Sequence, residues 1–341
     1  MPLETSSAPN NSSSKIDRRF SIAPMLDWTV SDYRVFARTM TKNTLLYTEM
    51  VTTGAILYGN NPERFLFHDE CEHPVALQLG GSNPEDLAKC AKKAEQAGFD
   101  EVNLNVGCPS DRVQNNMIGA CLMEHPNMVK DAMKAMQDVC SIPVTIKHRI
   151  GIDDQEEYSV VRDFVGDIGT TGTKTFIVHA RKAILQGLSP KENREVPPLK
   201  YHYVHQLKQD FPDLEIIING GIKTIAECQE QLKHVDGVMV GREAYHNPWM
   251  LSQVDEQIFG GQSIVTDRYE ALEKFVLHME RRMADGVRLS HLTRHILGIF
   301  QGEMGGRQFR RYLSENGHKA DAKLHVLLEA IDLVKHHQHK G

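Results

Sequence analysis

The sequence predicts an α/β protein, a (β/α)8 barrel followed by a smaller C-terminal all-α helical domain. Three observations carry this expectation. Eight short runs rich in β-branched and apolar residues begin at Phe20, Thr44, Pro74, Glu101, Pro143, Lys174, Glu215 and Gly237, with helix-like stretches between them. Eight such units fill a barrel of about 250 residues, whereas a doubly wound sheet ordinarily uses fewer strands. From about Thr266 onward the strand signal ends and helical patterns take over, at Asp267 to Asp285, Ser290 to Gln301 and Lys319 to Lys335. The expected organisation is a tail over residues 1–15, a barrel over 16–260 and a helical domain over 266–341.

The intervening helices follow from periodicity and from their first residues. Pro84 to Gly98 and Thr224 to His234 have polar outer faces, and Pro84 and Thr224 suit helix starts. Met1 to Lys15 is rich in Ser and Asn and lacks an apolar core, so it reads as a disordered tail rather than a secretory signal. No apolar run approaches the roughly 20 residues of a membrane span, and 40% hydrophobic with 25% charged residues is ordinary for a globular protein. A cytoplasmic protein with no membrane association is expected.

Six cysteines, at 71, 90, 108, 121, 140 and 228, form no C-x-x-C pair or other metal spacing, which argues for reduced thiols. Cys90, Cys140 and Cys228 fall in helix-like stretches and read as small buried hydrophobes. His291 and His295 have helical spacing, but no glutamate of the metalloprotease type lies between them and no third ligand is evident, so no metal is expected.

In a (β/α)8 barrel the chemistry sits at the C-terminal ends of the strands, so those positions can be read before any reaction is guessed. They are unusually polar here. In order they are Pro24, Met25, Leu26 and Asp27, then Glu49, Gln78, and Asn105 with Cys108. Lys147 and Arg149, His179 and Arg181, Asn219-Gly220-Gly221, and Gly241-Arg242 complete the rim. Period-two alternation puts Asn103 and Asn105 on one face of their strand, and Lys147 and Arg149 on one face of theirs.

Glycines at the seventh and eighth strand ends, with Arg242 as a charged fork, suit phosphate binding through backbone N–H groups. With Gln78, Lys147 and His179 around the mouth, a flavin mononucleotide fits, Gln78 meeting the amide-like edge of the ring and Lys147 stabilising negative charge. Each also has a purely structural reading: turn glycines, a lysine paired with an acid, a core histidine. Cys108 stands between Gly107 and Pro109 on a turn that lifts it from the sheet. No dedicated histidine base lies in that loop, and a thiol is ordinarily protonated at neutral pH, which favours a general acid over a nucleophile.

These motifs resemble those of the tRNA-dihydrouridine synthases, and most of all their A-type branch. The resemblance spans roughly residues 18 to 330 and rests on Ala23-Pro24-Met25-Leu26-Asp27, Gln78-Leu79-Gly80-Gly81, Asn105-Val106-Gly107-Cys108-Pro109-Ser110, Lys147-His148-Arg149, His179-Ala180-Arg181-Lys182, Asn219-Gly220-Gly221-Ile222 and Gly241-Arg242. It implies FMN held by Pro24, Met25, Leu26, Asp27, Gln78, Lys147, His179, Asn219, Gly220, Gly221, Gly241 and Arg242. It implies further that Cys108 protonates C5 of a uracil while hydride reaches C6, and that Asn105 positions the uridine. The A-type stretches Leu188 to Arg194 and Gly306 to Arg311 imply tRNA contacts by Lys191, Arg194, Arg307 and Arg310, with Arg149 beside the substrate, and D-loop positions 20 and 20a as targets.

Charge bears on the same point. Residues 266–341 hold 13 Lys or Arg against 10 Asp or Glu, a formal +3, while the rest of the chain, with 26 against 35, carries −9. Arg307, Arg310 and Arg311 share one helical face, and a protein of net charge −6 must bind RNA through such a local basic surface. No Rossmann fingerprint is present, so NADPH (or NADH) is expected as a transient reductant in the same mouth, and no obligate protein partner is expected. The residues leave open a flavin barrel acting on a free pyrimidine or other small enone, and a tRNA-binding chaperone without turnover.

Overall fold

The computed structural model describes residues 16–110 and 117–338, and the expected tail at residues 1–15 lies outside them. Among the described residues eight parallel strands form one sheet: β1 (Phe20–Ile22), β2 (Leu46–Thr52), β3 (Val75–Gly80), β4 (Glu101–Val106), β5 (Val144–Arg149), β6 (Thr175–His179), β7 (Glu215–Asn219) and β8 (Gly237–Val240). From β2 to β8 each strand pairs with its sequence neighbour, and β1 pairs with β8. A bridge between Ser21 and Leu45 joins β1 to β2 and closes the ring.

Alternation divides every strand between two environments. Val102, Leu104 and Val106 of β4 are buried in the large hydrophobic layer under the helices. Ala23, Leu45, Tyr47, Ala76, Ile177, Ile217 and Met239 form a separate apolar cluster inside the barrel. Apolar filling is incomplete there, because the same inner faces carry Gln78, Glu101, Asn103, Asn105 and Thr145, all buried.

The helix Pro84–Gln96 begins with Pro at its first turn, capped by Asn83, whose Oδ1 accepts the Asp86 N–H at 3.0 Å. It buries Leu87, Cys90, Ala91 and Ala94, an i, i+3, i+4, i+7 stripe. Thr224 and Glu227 form a capping box at the start of Ile225–Gln231. Cys140 falls outside the expected helical pattern: it follows the helix Pro126–Gln137 in a turn, half-buried.

After β8 the chain forms the helices Arg268–Ala284, Leu289–Thr293, Gly306–Asn316 and Leu324–Gln338. The helix expected over Ser290 to Gln301 stops at Thr293. Beyond it the hydrogen bonds tighten to three-residue turns, such as Ile299 N–H to Ile296 O at 3.0 Å. A Cβ on Gly298 would lie 2.2 Å from His246 O, so only glycine lets this stretch pass so close to residues 246–248. The last helix starts at Leu324 rather than near Lys319.

The C-terminal helices pack directly on the barrel. Phe275 meets Phe36 with ring centroids 5.1 Å apart, and Asp32 accepts from both His278 Nε2 and Arg282 Nε at 2.8 Å.

Candidate active site

Cys108 lies just beyond β4 in a half-buried position, and its thiol is free, as are the other five. Its backbone is held from two sides. Asn105 Oδ1 accepts the N–H groups of Gly107 and Cys108 at 3.1 and 3.0 Å. Arg149 Nε donates to Gly107 O at 2.8 Å. Cys108 O in turn accepts the Ala120 N–H at 2.8 Å, so the loop is also tied to the segment that follows.

Asn105 is 9% exposed, and its Nδ2 donates to Gln78 Oε1 at 2.9 Å. Its carboxamide oxygen is therefore committed to the Cys108 loop, a positioning arrangement that the sequence reading, with Asn105 on the uridine, did not foresee. Gln78 sits opposite a bulge in β2 between Tyr47 and Met50, where Thr48 Oγ1 accepts the Gln78 N–H at 3.1 Å. The same bulge carries Glu49 to the mouth, where its Oε1 accepts the Asp27 N–H at 2.5 Å. Asp27 adopts a left-handed conformation, φ 62°, in the turn that displays Leu26 at 66% exposure.

Arg149 differs from its expected role beside RNA. It is 2% exposed, and its Nη1 also donates to Lys182 O and Asn193 O at 2.9 and 3.0 Å. A guanidinium committed to three carbonyls ties the β4, β6 and 184–193 loops together. Asn193, fully buried, completes that tie by accepting the Ile184 N–H and donating to Ile184 O. Nothing in the local sequence separates it from a surface asparagine.

Lys147 pairs in register with Asn105, and its Nζ donates to Asn219 Oδ1 at 3.1 Å. Burial, then the Arg149 charge, lowers its pKa to about 7. Burial, then Arg149 and Lys147, holds His179 far below the ordinary histidine range, so its imidazole is neutral. Its ring makes no hydrogen bond among the described residues, although it is only 9% exposed. Arg149 is lowered to about 10, and Arg181 and Arg194 are lowered too, burial leading in each case.

Gly220 and Gly221 turn out of β7 with φ 120° and 73°. A Cβ on Gly220 would lie 2.7 Å from His179 Cδ2, and one on Gly221 2.6 Å from Leu199 Cδ1. Gly241 lies against Ala23 and Met25 of the β1 turn. Arg242 pairs with Glu195 at 2.6 Å, which shares its charge. Pro24, Met25, Leu26, Asp27, Gln78, Lys147, His179, Asn219, Gly220, Gly221, Gly241 and Arg242 thus all belong to one end of the barrel, while Lys191 and Arg194 lie exposed on the loop beside it.

A cleft of about 580 Å³ opens next to this mouth, lined by Tyr245, His246, Arg294, Gln301 and Arg310 among others. Trp28 stacks on Tyr245 with centroids 4.4 Å apart, linking the β1 turn to the cleft. Arg310 Nη1 donates to Gln301 Oε1 at 2.8 Å, Arg311 pairs with Glu315, and Arg307 is exposed. The sequence reading missed Trp28, Tyr245 and Arg294, since aromatic and basic residues far apart in the chain give no local signal of meeting. His295, considered with His291 for a metal, instead bonds Tyr245 through Nδ1 at 3.1 Å.

Residues 21–335 match the profile of the family described as Dihydrouridine synthase (Dus). The chain belongs to the dihydrouridine synthase family. A member from Pseudomonas putida, named tRNA-dihydrouridine(20/20a) synthase, is 58% identical over 98% of this chain and 99% of its own. One of the same name from Escherichia coli K12 is 56% identical over 97% of this chain and 96% of its own. Among solved structures, morphinone reductase superposes with a TM-score of 0.51 at 14% identity, covering 74% of this chain and 88% of that one, which places this dihydrouridine synthase among barrels of that fold.

The mouth fits the phosphate of a flavin mononucleotide. Arg181 and Arg194 bring positive charge to it, its glycines leave a cradle that a Cβ would fill, and the neutral imidazole of His179 makes no hydrogen bond among the described residues.

Proposed function

We propose that the protein reduces the C5=C6 bond of uridines 20 and 20a in the D-loop of tRNA to 5,6-dihydrouridine, with FMN as resident cofactor and NADPH as transient reductant. Family membership supports the reaction, and the names of the relatives support the positions. The observation that carries it in this chain is the thiol of Cys108 on a peptide clamped by Asn105 and Arg149 at the end of β4, facing the cationic mouth.

The flavin, when bound, supplies the hydride accepted at C6. Gly220, Gly221, Gly241 and Arg242 would hold its phosphate, and Lys147, Gln78 and His179 would present donors to its ring. Cys108 Sγ gives its proton to C5, and the resulting thiolate lies near Lys147 and Arg149, whose positive charges stabilise it. The clamp fixes the backbone that carries Sγ, which narrows the region in which the proton is presented.

Residues 16–260 serve as the flavin-binding barrel and residues 266–341 as a tRNA-binding domain. Lys191, Arg194, Arg307 and Arg310 contact the RNA backbone around the cleft beside the mouth, an arrangement that lets a uridine leave its stack and enter the barrel. No helix among the described residues is long and apolar enough to cross a membrane, and a cytoplasmic site of action follows from a tRNA substrate.

Incubation of unmodified tRNA with the purified protein, FMN and NADPH, followed by mass analysis of nucleosides, tests the proposal. Dihydrouridine mapped to positions 20 and 20a supports it. Consumption of NADPH with bound flavin and no dihydrouridine would overturn it and point to a small enone substrate.

A further inference from the structure

A line of hydrogen bonds runs through the barrel interior from its N-terminal end to the Cys108 loop. Glu101 Oε1 accepts from Thr145 Oγ1 at 2.6 Å, and Thr145 Oγ1 accepts from Asn103 Nδ2 at 2.8 Å. Asn103 Oδ1 accepts from Gln78 Nε2 at 2.8 Å, and Gln78 Oε1 accepts from Asn105 Nδ2 at 2.9 Å. Asn105 Oδ1 closes the line on the Gly107 and Cys108 N–H groups.

Both ends of this line have only one possible polarity. A backbone N–H can only donate, and a carboxylate can only accept. Glu101 is held as a carboxylate acceptor by Arg18, 2.7 Å away, and Tyr47 also donates to it at 2.6 Å. Each amide between the ends can be turned over, and its orientation follows from its neighbours. A donor at the lower end takes away the acceptor of the Thr145 proton; once that proton turns toward Asn103, the three carboxamides reverse together and Asn105 Nδ2 faces two N–H groups. Buried donor against donor is costly, so the loop would have to leave its place.

We propose that Glu101 is a positioning residue: from the far end of β4 it sets the donor direction of the line and thereby holds Cys108 in its place for proton transfer. The distance spanned along β4 from Glu101 to Asn105 is about 13 Å. Asn103 and Thr145 are the links that transmit the direction, and neither touches the mouth itself. The inference rests on the reading of Cys108 as proton donor.

Glu101→Gln is the direct test, because Arg18 demands the single amide oxygen and turns the NH2 group toward Thr145. Thr145→Val breaks the line with the Arg18–Glu101 pair intact, and Thr145→Ser keeps the hydroxyl. Two rates are read on the flavin-bound protein: dihydrouridine formation at saturating tRNA, and alkylation of Cys108 by iodoacetamide followed by peptide mass analysis. Glu101→Gln and Thr145→Val are expected to slow dihydrouridine formation at least tenfold with KM for tRNA within twofold of wild type. Both should shift the alkylation rate at least threefold, and Thr145→Ser should restore both rates. Folded variants that keep both rates within twofold would overturn the inference, as would Thr145→Ser behaving like Thr145→Val. If Glu101→Gln fails to fold, Thr145→Val decides. Should wild type form no dihydrouridine, the proposed function fails, and the alkylation rates alone judge the line.

Discussion

Asn105 and Arg149 hold opposite ends of the same peptide group, the carboxamide of Asn105 accepting the Cys108 N–H and the guanidinium of Arg149 donating to Gly107 O. Neither residue has to touch a substrate to govern the thiol between them. Arg149→Lys replaces a planar fork with one ammonium that cannot span three carbonyls. The expected result is a loss of about 1–3 kcal/mol in chemical denaturation, from carbonyls left unpaired in the interior. Uridine reduction should fall at least tenfold while flavin reduction by NADPH continues. A variant with wild-type uridine reduction would show that the clamp does not matter.

Cys108→Ala removes the proton donor and no hydrogen bond of the clamp, which is made by backbone atoms. Flavin binding and NADPH oxidation should persist, with dihydrouridine formation reduced at least a hundredfold in single-turnover assays. Loss of flavin in this variant would reassign the cysteine to cofactor binding.

Gly220→Ala brings a Cβ to within 2.7 Å of His179 and forces a left-handed residue at φ 120°. The conformational cost alone is about 1–2 kcal/mol. Fluorescence titration with FMN should show weaker binding by at least tenfold. Unchanged affinity would place the phosphate elsewhere on the rim.

Lys147 links stability to pH. Its pKa in the folded protein is about 7 against 10.5 for an exposed lysine, so between those values the unfolded chain binds more protons. The penalty for burying the charge is complete below pH 7 and is relieved as pH rises through the window. Flavin-free protein should therefore gain stability to urea between pH 7 and 9, and Lys147→Met should flatten that rise. Identical slopes for Lys147→Met and wild type would remove Lys147 from this account.

Arg307→Ala and Arg310→Ala should each weaken tRNA binding and lower the salt dependence of its logarithm by about one phosphate contact. Flavin affinity should be unaffected. Electrophoretic or fluorescence titrations at several salt concentrations would expose a merely structural role as an unchanged slope.

The barrel was legible because its strands carry a strong local signal. All eight expected starts fall within two residues of the observed ones, as at Glu101, Glu215 and Gly237, where β-branched runs stop at glycine and asparagine turns. The inward pairs Asn103 with Asn105 and Lys147 with Arg149 followed from alternation alone. The stretch after Thr293 was not legible, since its apolar spacing is helical while its hydrogen bonds close three-residue turns, as from Ile299 to Ile296 and from Gln301 to Gly298. Arg149 was legible as a mouth residue on the face of Lys147, but the three carbonyls from distant loops that enclose its guanidinium were not.

By itself the sequence determined the strand count, the inner and outer faces, and the polar groups at the strand ends, because these depend on the order of neighbours along the chain. Only the tertiary structure decided how those groups spend their hydrogen bonds. Asn105 turned to the Cys108 loop, Arg149 spent its guanidinium on loop carbonyls, and Gln78 joined a line ending at Glu101 because a buried donor or acceptor must find its partner wherever the closed barrel places one.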